Sequence, residues 1–283
     1  MERPQGADES RADPAAREVS VAQTTSKRRP TTIRAWVRRA FLLWAVVSTL
    51  WLADSYRTRG VDQRLLQSSP TTTVVDGPAT LAFLPAAPES KAALIFLCGG
   101  GVSARAYAPL LRPIAETGYP VFIVKLPYRF APFASHKRTA VERALTVIET
   151  HPQIGAWVVS GHSLGGALAC VVAQSAPTAI SAMVLIGTTH PKHDDLSALR
   201  MSVTKIYASN DGVAPEERTL SNSDLLPDHT RWVKIEGGNH SQFGHYGRQL
   251  LDGSATITRE KQQEQTRAAL LDALEGASPI DEE

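Results

Sequence analysis

From residue 72 onward the chain alternates between short, almost unbroken apolar runs and longer stretches with apolar residues at helical spacing. The runs at 92–98 (AALIFLC), 120–126 (PVFIVKL), 156–160 (AWVVS), 180–186 (ISAMVLI), 203–208 (VTKIYA) and 231–235 (RWVKI) lack the polar alternation of a half-solvated strand. Continuous runs of that length predict strands buried on both faces of a parallel sheet. Residues 72–75 and 80–84 predict a leading hairpin. Between the strands, helices are expected at 107–117, around the single face formed by Val141, Ala144, Leu145 and Ile148, at 164–173 and at 259–274. Strands alternating with helices give an α/β fold, a mostly parallel sheet covered by helices on both faces. Ligands of such sheets sit beyond the carboxyl ends of the strands, so the chemistry is expected in the turns that follow them.

The first seventy residues follow a different pattern. Residues 1–33 have almost no large apolar side chains and cannot bury enough surface to offset the entropy of ordering, so 1–35 is expected to be a disordered basic tail. Residues 40–53 (AFLLWAVVSTLWLA) carry no charge over 14 positions, short of the roughly 20 a membrane-spanning helix needs. Adding Trp36 and Val37, with Arg38 and Arg39 extending outward, makes a thin span over 36–53. A cleaved signal peptide is opposed by the long leader and by Trp51-Leu52-Ala53, which puts a bulky residue where a small one is wanted, while a buried helix of a cytoplasmic soluble protein is the bland alternative. A signal anchor fits best. Lys27, Arg28, Arg29, Arg34, Arg38 and Arg39 precede the run and Asp54 follows it, which puts the N-terminus in the cytoplasm and the remainder across the membrane. Trp36, Trp44 and Trp51 then serve as interface anchors. The polar residues 54–71 read as a stalk, 72–275 as one domain, and 276–283 as an acidic disordered tail.

Composition sharpens this division. The 283 residues have a formal net charge of +2, but 1–39 hold nine Lys/Arg against five Asp/Glu (net +4) and 40–283 hold 21 against 23 (net −2). A weakly acidic domain gives no reason to expect a nucleic-acid partner. Cys98 and Cys170 are too few for a disulfide scaffold, lack zinc-ligand spacing, and are expected as buried free thiols.

The turn after 156–160 reads Gly161-His162-Ser163-Leu164-Gly165-Gly166, a G-x-S-x-G elbow between an apolar strand and a small-residue helix. So tight a turn excludes bulk two residues either side of Ser163 and leaves its hydroxyl exposed above the sheet. A serine nucleophile needs a base, and the base an orienting acid. His240 follows the last strand on Gly237-Gly238-Asn239, and Asp211 follows the strand before it. Asp194, also beyond a strand end, is the rival acid. His162 is expected to point away from the site and His245 to lie on a surface loop or pocket rim. His190 and His193 beside Asp194 and Asp195 have metal-like spacing but no evident third ligand group, so a solvated loop is the simpler reading and no metal is expected. An oxyanion would be met by the N–H of Leu164 and by one from Cys98-Gly99-Gly100-Gly101, with Gly100 ahead of Gly101. No Lys-Ser/Thr follows those glycines, which argues against a phosphate loop.

With these residues in place, the chain resembles the alpha/beta hydrolase superfamily over about 72–275, and within it the single-domain fold-5 family. The resemblance is carried by GGGVSARAYAPL (99–110), VKLPYRFAPF (124–133), GHSLGG (161–166), SNDGV (209–213), EGGNHSQFGHYG (236–247) and DGSATITREKQQ (252–263). Cys98 departs from the Pro or His that relatives tend to carry before the glycines, which leaves the second oxyanion donor open. The resemblance implies hydrolysis of a small-molecule acyl ester without an organic cofactor. An acyltransferase using the same triad and a non-catalytic binding protein of the same fold are the other classes. Only about sixteen positions separate 186 from 203, too few for a large lid domain. An open site lined by Tyr128, Phe130, Phe133, His190 and Phe243 is expected, with Lys125 and Arg129 near its rim as solvated charges or as anchors for an anionic group.

Overall fold

The computed structural model describes residues 32–88 and 92–278. The expectation of disorder at 1–35 therefore falls, for 1–31, outside the described residues, as does most of the expected C-terminal tail.

The described residues divide into two units, one ending at Val47 and one beginning at Ser48. Helix α1 (Thr32–Ser55) extends the expected apolar segment by four residues at its start and two at its end. It is long and apolar enough to cross a membrane, and none of its most apolar window is buried. Phe41, Leu42, Leu43, Trp44, Val46 and Val47 are all exposed, a patch that a soluble surface rarely leaves bare.

The second unit is built on an eight-stranded sheet of order β1-β2-β4-β3-β5-β6-β7-β8. The strands are β1 (Thr72–Asp76), β2 (Thr80–Pro85), β3 (Ala92–Leu97), β4 (Val121–Val124), β5 (Ala156–His162), β6 (Ile180–Ile186), β7 (Ser202–Ala208) and β8 (Arg231–Ile235). Only the β1–β2 and β2–β4 pairs are antiparallel; the other five pairs are parallel. Every residue of β3 and β5 is buried, as unbroken apolar runs require of strands covered on both faces. Helices α2 (Ala108–Glu116) and α6 (Arg259–Glu275) pack together, as do α3 (Ala134–Thr150) and α4 (Leu164–Ser175), and the short α5 (Glu216–Leu220) lies between β7 and β8 in the chain. The chain leaves β3 toward β4 on one side and returns to β5 on the other. That reversal sets the glycine loop after β3 and the elbow after β5 side by side at the carboxyl ends of the strands, where sheets of this kind bind ligands.

Residues 54–71, expected as a stalk, instead lie along this unit. Ser55 is buried, Thr58 pairs with Tyr246, and the Arg59 N–H donates to the His245 carbonyl at 2.9 Å. The buried guanidinium of Arg112 donates to the carbonyls of Arg64 (2.9 Å) and Gln67 (2.7 Å). These bonds run through main-chain groups, so polar side chains in the sequence carry no sign of them.

Candidate active site

The elbow is shaped by contacts that only glycine permits. Ser163 has φ 56° and ψ −116°. Its N–H is held by the Ile186 carbonyl at 2.9 Å, and α4 begins at the next residue. A Cβ on Gly161 would lie 2.1 Å from the Gly165 carbonyl oxygen, and one on Gly165 would lie 2.0 Å from that of Leu97. Strand β5, helix α4 and strand β3 thus meet backbone to backbone, and Ser163 occupies the strained turn between them.

Asp211 follows β7 and is buried. One carboxylate oxygen accepts the N–H groups of Val213 (2.9 Å) and Ala214 (2.6 Å). The other lies 2.8 Å from His240 Nδ1. A carboxylate only accepts, so Nδ1 carries the proton and Nε2 keeps its lone pair. His240 Nε2 is buried and has no hydrogen-bond partner. Asp194 is exposed on its loop.

Nothing in the sequence assigns Asp252 a role, although it opens the DGSATITREKQQ stretch. It fixes the loop that carries His240. One oxygen accepts the His240 N–H (3.0 Å), the other the Ser241 N–H (2.9 Å) and hydroxyl (2.6 Å). From α6, the Gln262 amide accepts the Asn239 N–H (3.0 Å) and donates to the Asn239 carbonyl (2.7 Å). The Tyr246 hydroxyl donates to the His240 carbonyl at 3.2 Å.

His162, expected to point away, packs its ring 4.5 Å from that of His240. Its Nδ1 is 2.9 Å from the Tyr107 hydroxyl, which accepts the Gly99 N–H at 3.0 Å. The Tyr107 proton is thereby directed at His162 Nδ1, and burial keeps that phenol protonated by raising it well above its ordinary value. Burial, reinforced by the neighbouring His240, holds His162 well below the usual histidine range. Elbow and glycine loop are joined by this neutral chain.

In the glycine loop, the Gly99 N–H is taken by Tyr107, and the Gly101 N–H donates to the Arg129 carbonyl at 2.8 Å. Gly101, the second candidate donor, is therefore already engaged. A Cβ on Gly100 would lie 3.5 Å from the Leu164 side chain, so the loop runs beside the start of α4.

Of the expected pocket residues, Tyr128, Phe130 and Phe133 are exposed and His190 is half-buried. Phe243 is not on the rim. It is wholly buried, its ring 5.4 Å from His162, because it fills the space beside Gly187. His245 is half-buried against the 55–60 segment. Lys125 pairs with Asp76, and the Arg129 guanidinium donates to the Tyr56 carbonyl at 3.0 Å. Among the described residues no cluster of three or more His, Cys, Asp or Glu is arranged to hold a metal ion. Cys98 and Cys170 are free and buried, and burial pushes both thiols up to about 12.

The sequence matches the profile of the alpha/beta hydrolase family over residues 93–264. The chain is an alpha/beta hydrolase. No curated protein matches its sequence. Among solved structures, this hydrolase is similar to a putative alpha/beta hydrolase from Agrobacterium tumefaciens (16% identity, TM-score 0.56, covering 75% of this chain and 100% of that one). It is also similar to a ferulic acid esterase from Streptomyces cinnamoneus (19%, 0.56, 70% and 72%) and to Est1E from Butyrivibrio proteoclasticus (13%, 0.51, 72% and 99%). At these identities the likeness is one of fold.

Besides Arg112, a second buried basic side chain of this hydrolase stands apart from the Asp211–His240 pair. Lys205, in the middle of β7, is wholly buried, donates to the His190 carbonyl and lies 5.8 Å over the Trp232 ring. Burial lowers its amine from 10.5 to about 8. Between those values the unfolded chain binds more protons, so this group's contribution to stability rises with pH across that window; below about 8 its full penalty is present. The melting temperature of Lys205→Met, relative to the unsubstituted protein, is therefore expected to be most favourable near pH 7. It should decline as pH rises from about 8 to about 10.5. A difference that stays flat in parallel thermal melts would contradict this.

Proposed function

We propose that the chain is a serine hydrolase that cleaves a carboxylic ester or a related acyl bond through a Ser163–His240–Asp211 triad. The observation that carries this reading is the buried Asp211–His240 pair, 2.8 Å apart, with Nε2 of the imidazole left unpartnered. Ser163 Oγ attacks the acyl carbon as His240 Nε2 removes its proton. Asp211 keeps the imidazole in the required tautomer and stabilises it once charged. The oxyanion is met by the N–H of Leu164, the first residue of α4, and by that of Gly100. Collapse expels the alcohol, protonated by His240, and a water molecule then releases the acid by the same sequence in reverse. No step calls for a metal or organic cofactor. Tyr128, Phe130, Phe133 and His190 are the side chains we assign to the substrate rim. No helix lies between β6 and β7, which favours small or extended acyl groups over a sealed lipid tunnel.

We read α1 as a single membrane anchor with the hydrolase domain on the non-cytoplasmic side. Its 24 residues, its unburied apolar window and the arginines at its start support this.

A fluorophosphonate probe tests the catalytic reading. One equivalent is expected to attach to the full chain, and peptide mass mapping should find it on Ser163. Attachment at another residue, or none to folded protein, would overturn the assignment.

A further inference from the structure

We propose that Tyr56, directly after α1, is a positioning residue for the oxyanion side of the site; the inference rests on the hydrolase reading above. Gly101 turns the glycine loop with φ +79°, and a Cβ there would sit 2.6 Å from ring carbons of both Tyr56 and Phe130. Those two rings meet edge to face at 5.2 Å, closing over the loop. Arg129 ties the three together, since its carbonyl accepts the Gly101 N–H (2.8 Å) and its guanidinium donates to the Tyr56 carbonyl (3.0 Å).

The partner loop is itself held in conformations that side chains rarely adopt. Tyr128, Arg129 and Ala131 have φ of 51°, 64° and 43°. Backbone of this kind persists only where its surroundings over-determine it. Tyr56 supplies part of those surroundings, and its hydroxyl has no hydrogen bond to another described residue, so the contribution is that of the ring and the main chain. By engaging Gly101, the arrangement leaves the Gly100 N–H as the loop's remaining donor beside Leu164. The same short segment reaches the other half of the site. Thr58 pairs with Tyr246, whose hydroxyl donates to the His240 carbonyl. Residues 55–59 thus buttress both the glycine loop and the histidine loop, and a chain cut at residue 70 would lose that support.

The test uses the full chain in detergent micelles with a p-nitrophenyl acyl ester. Tyr56→Ala is expected to lower kcat by roughly 10- to 100-fold, the scale of a misplaced oxyanion donor, with KM within about threefold. Tyr56→Phe should retain kcat within about twofold. Phe130→Leu, which loosens the clamp from the other side, should fall in the same direction as Tyr56→Ala. Equal kcat in Tyr56→Ala and the unsubstituted protein, or equal loss in Tyr56→Phe, would overturn the proposal. Amide exchange at Gly101 is read in parallel, expected to accelerate in Tyr56→Ala or, should that variant not fold, in Phe130→Leu, but not in Tyr56→Phe. Unchanged exchange overturns the clamp even if the enzyme proves inactive toward esters. Absent ester turnover together with altered exchange would instead locate the failure in the hydrolase reading.

Discussion

Ser163→Ala is expected to reduce kcat toward a p-nitrophenyl acyl ester by roughly 10^5-fold or more, the scale seen when a triad nucleophile is removed from a serine hydrolase. The mutation removes one oxygen and little else. The Ser163 side chain caps no helix N–H, and its N–H and carbonyl bonds to Ile186 and Gly166 survive in alanine. The left-handed backbone is no harder for alanine than for serine. The thermal melt should therefore be unchanged while turnover disappears, so loss of activity cannot be blamed on loss of fold. Initial rates measured alongside circular-dichroism melts decide it. Residual turnover within tenfold of the unsubstituted protein would remove Ser163 from the mechanism.

The second large effect is expected from Asp211→Asn. One oxygen of Asp211 is committed to the amides of Val213 and Ala214, which can only donate. An asparagine must therefore keep its carbonyl on that side and turn its NH2 toward His240 Nδ1. Nδ1 then has to accept, the ring proton moves to Nε2, and the base loses the lone pair it needs. A loss of kcat of roughly 10^3- to 10^4-fold follows, comparable to the same change in another serine hydrolase. Asp194→Asn, on an exposed loop, should stay within about twofold. Comparable losses in the two variants would mean that the acid has been misassigned.

The sheet was legible because β3 and β5 are buried from end to end, and β6 everywhere but Ser181, so they must be written almost wholly in apolar residues. The elbow was legible because the steric demand at Gly161 and Gly165 falls on two fixed positions in the chain. The choice between Asp211 and Asp194 was not, since both follow a strand end and only the fold decides which carboxylate reaches His240. Asp252 is illegible in the sequence for a different reason. It acts on main-chain N–H groups of His240 and Ser241, and a backbone donor leaves no trace in residue identity. The same holds for 54–71, whose bonds run through the carbonyls of Arg64, Gln67 and His245. Apart from the buried Ser55, most of its polar side chains face solvent and read as a linker. His162 and Tyr107 are 55 residues apart, a separation at which no local pattern betrays a hydrogen bond. Phe243 looked like a rim residue because an aromatic near a candidate histidine has no sequence mark that tells lining from filling.

The approach of Gly165 to the Leu97 carbonyl bears on how the site ages under thermal motion. Three backbone segments interlock there with no side chain between them to hop rotamers. The elbow has no soft layer through which it can open by itself, so its opening free energy is tied to that of the central sheet. The nucleophile turn therefore belongs to the last cooperative unit to be lost rather than to the first.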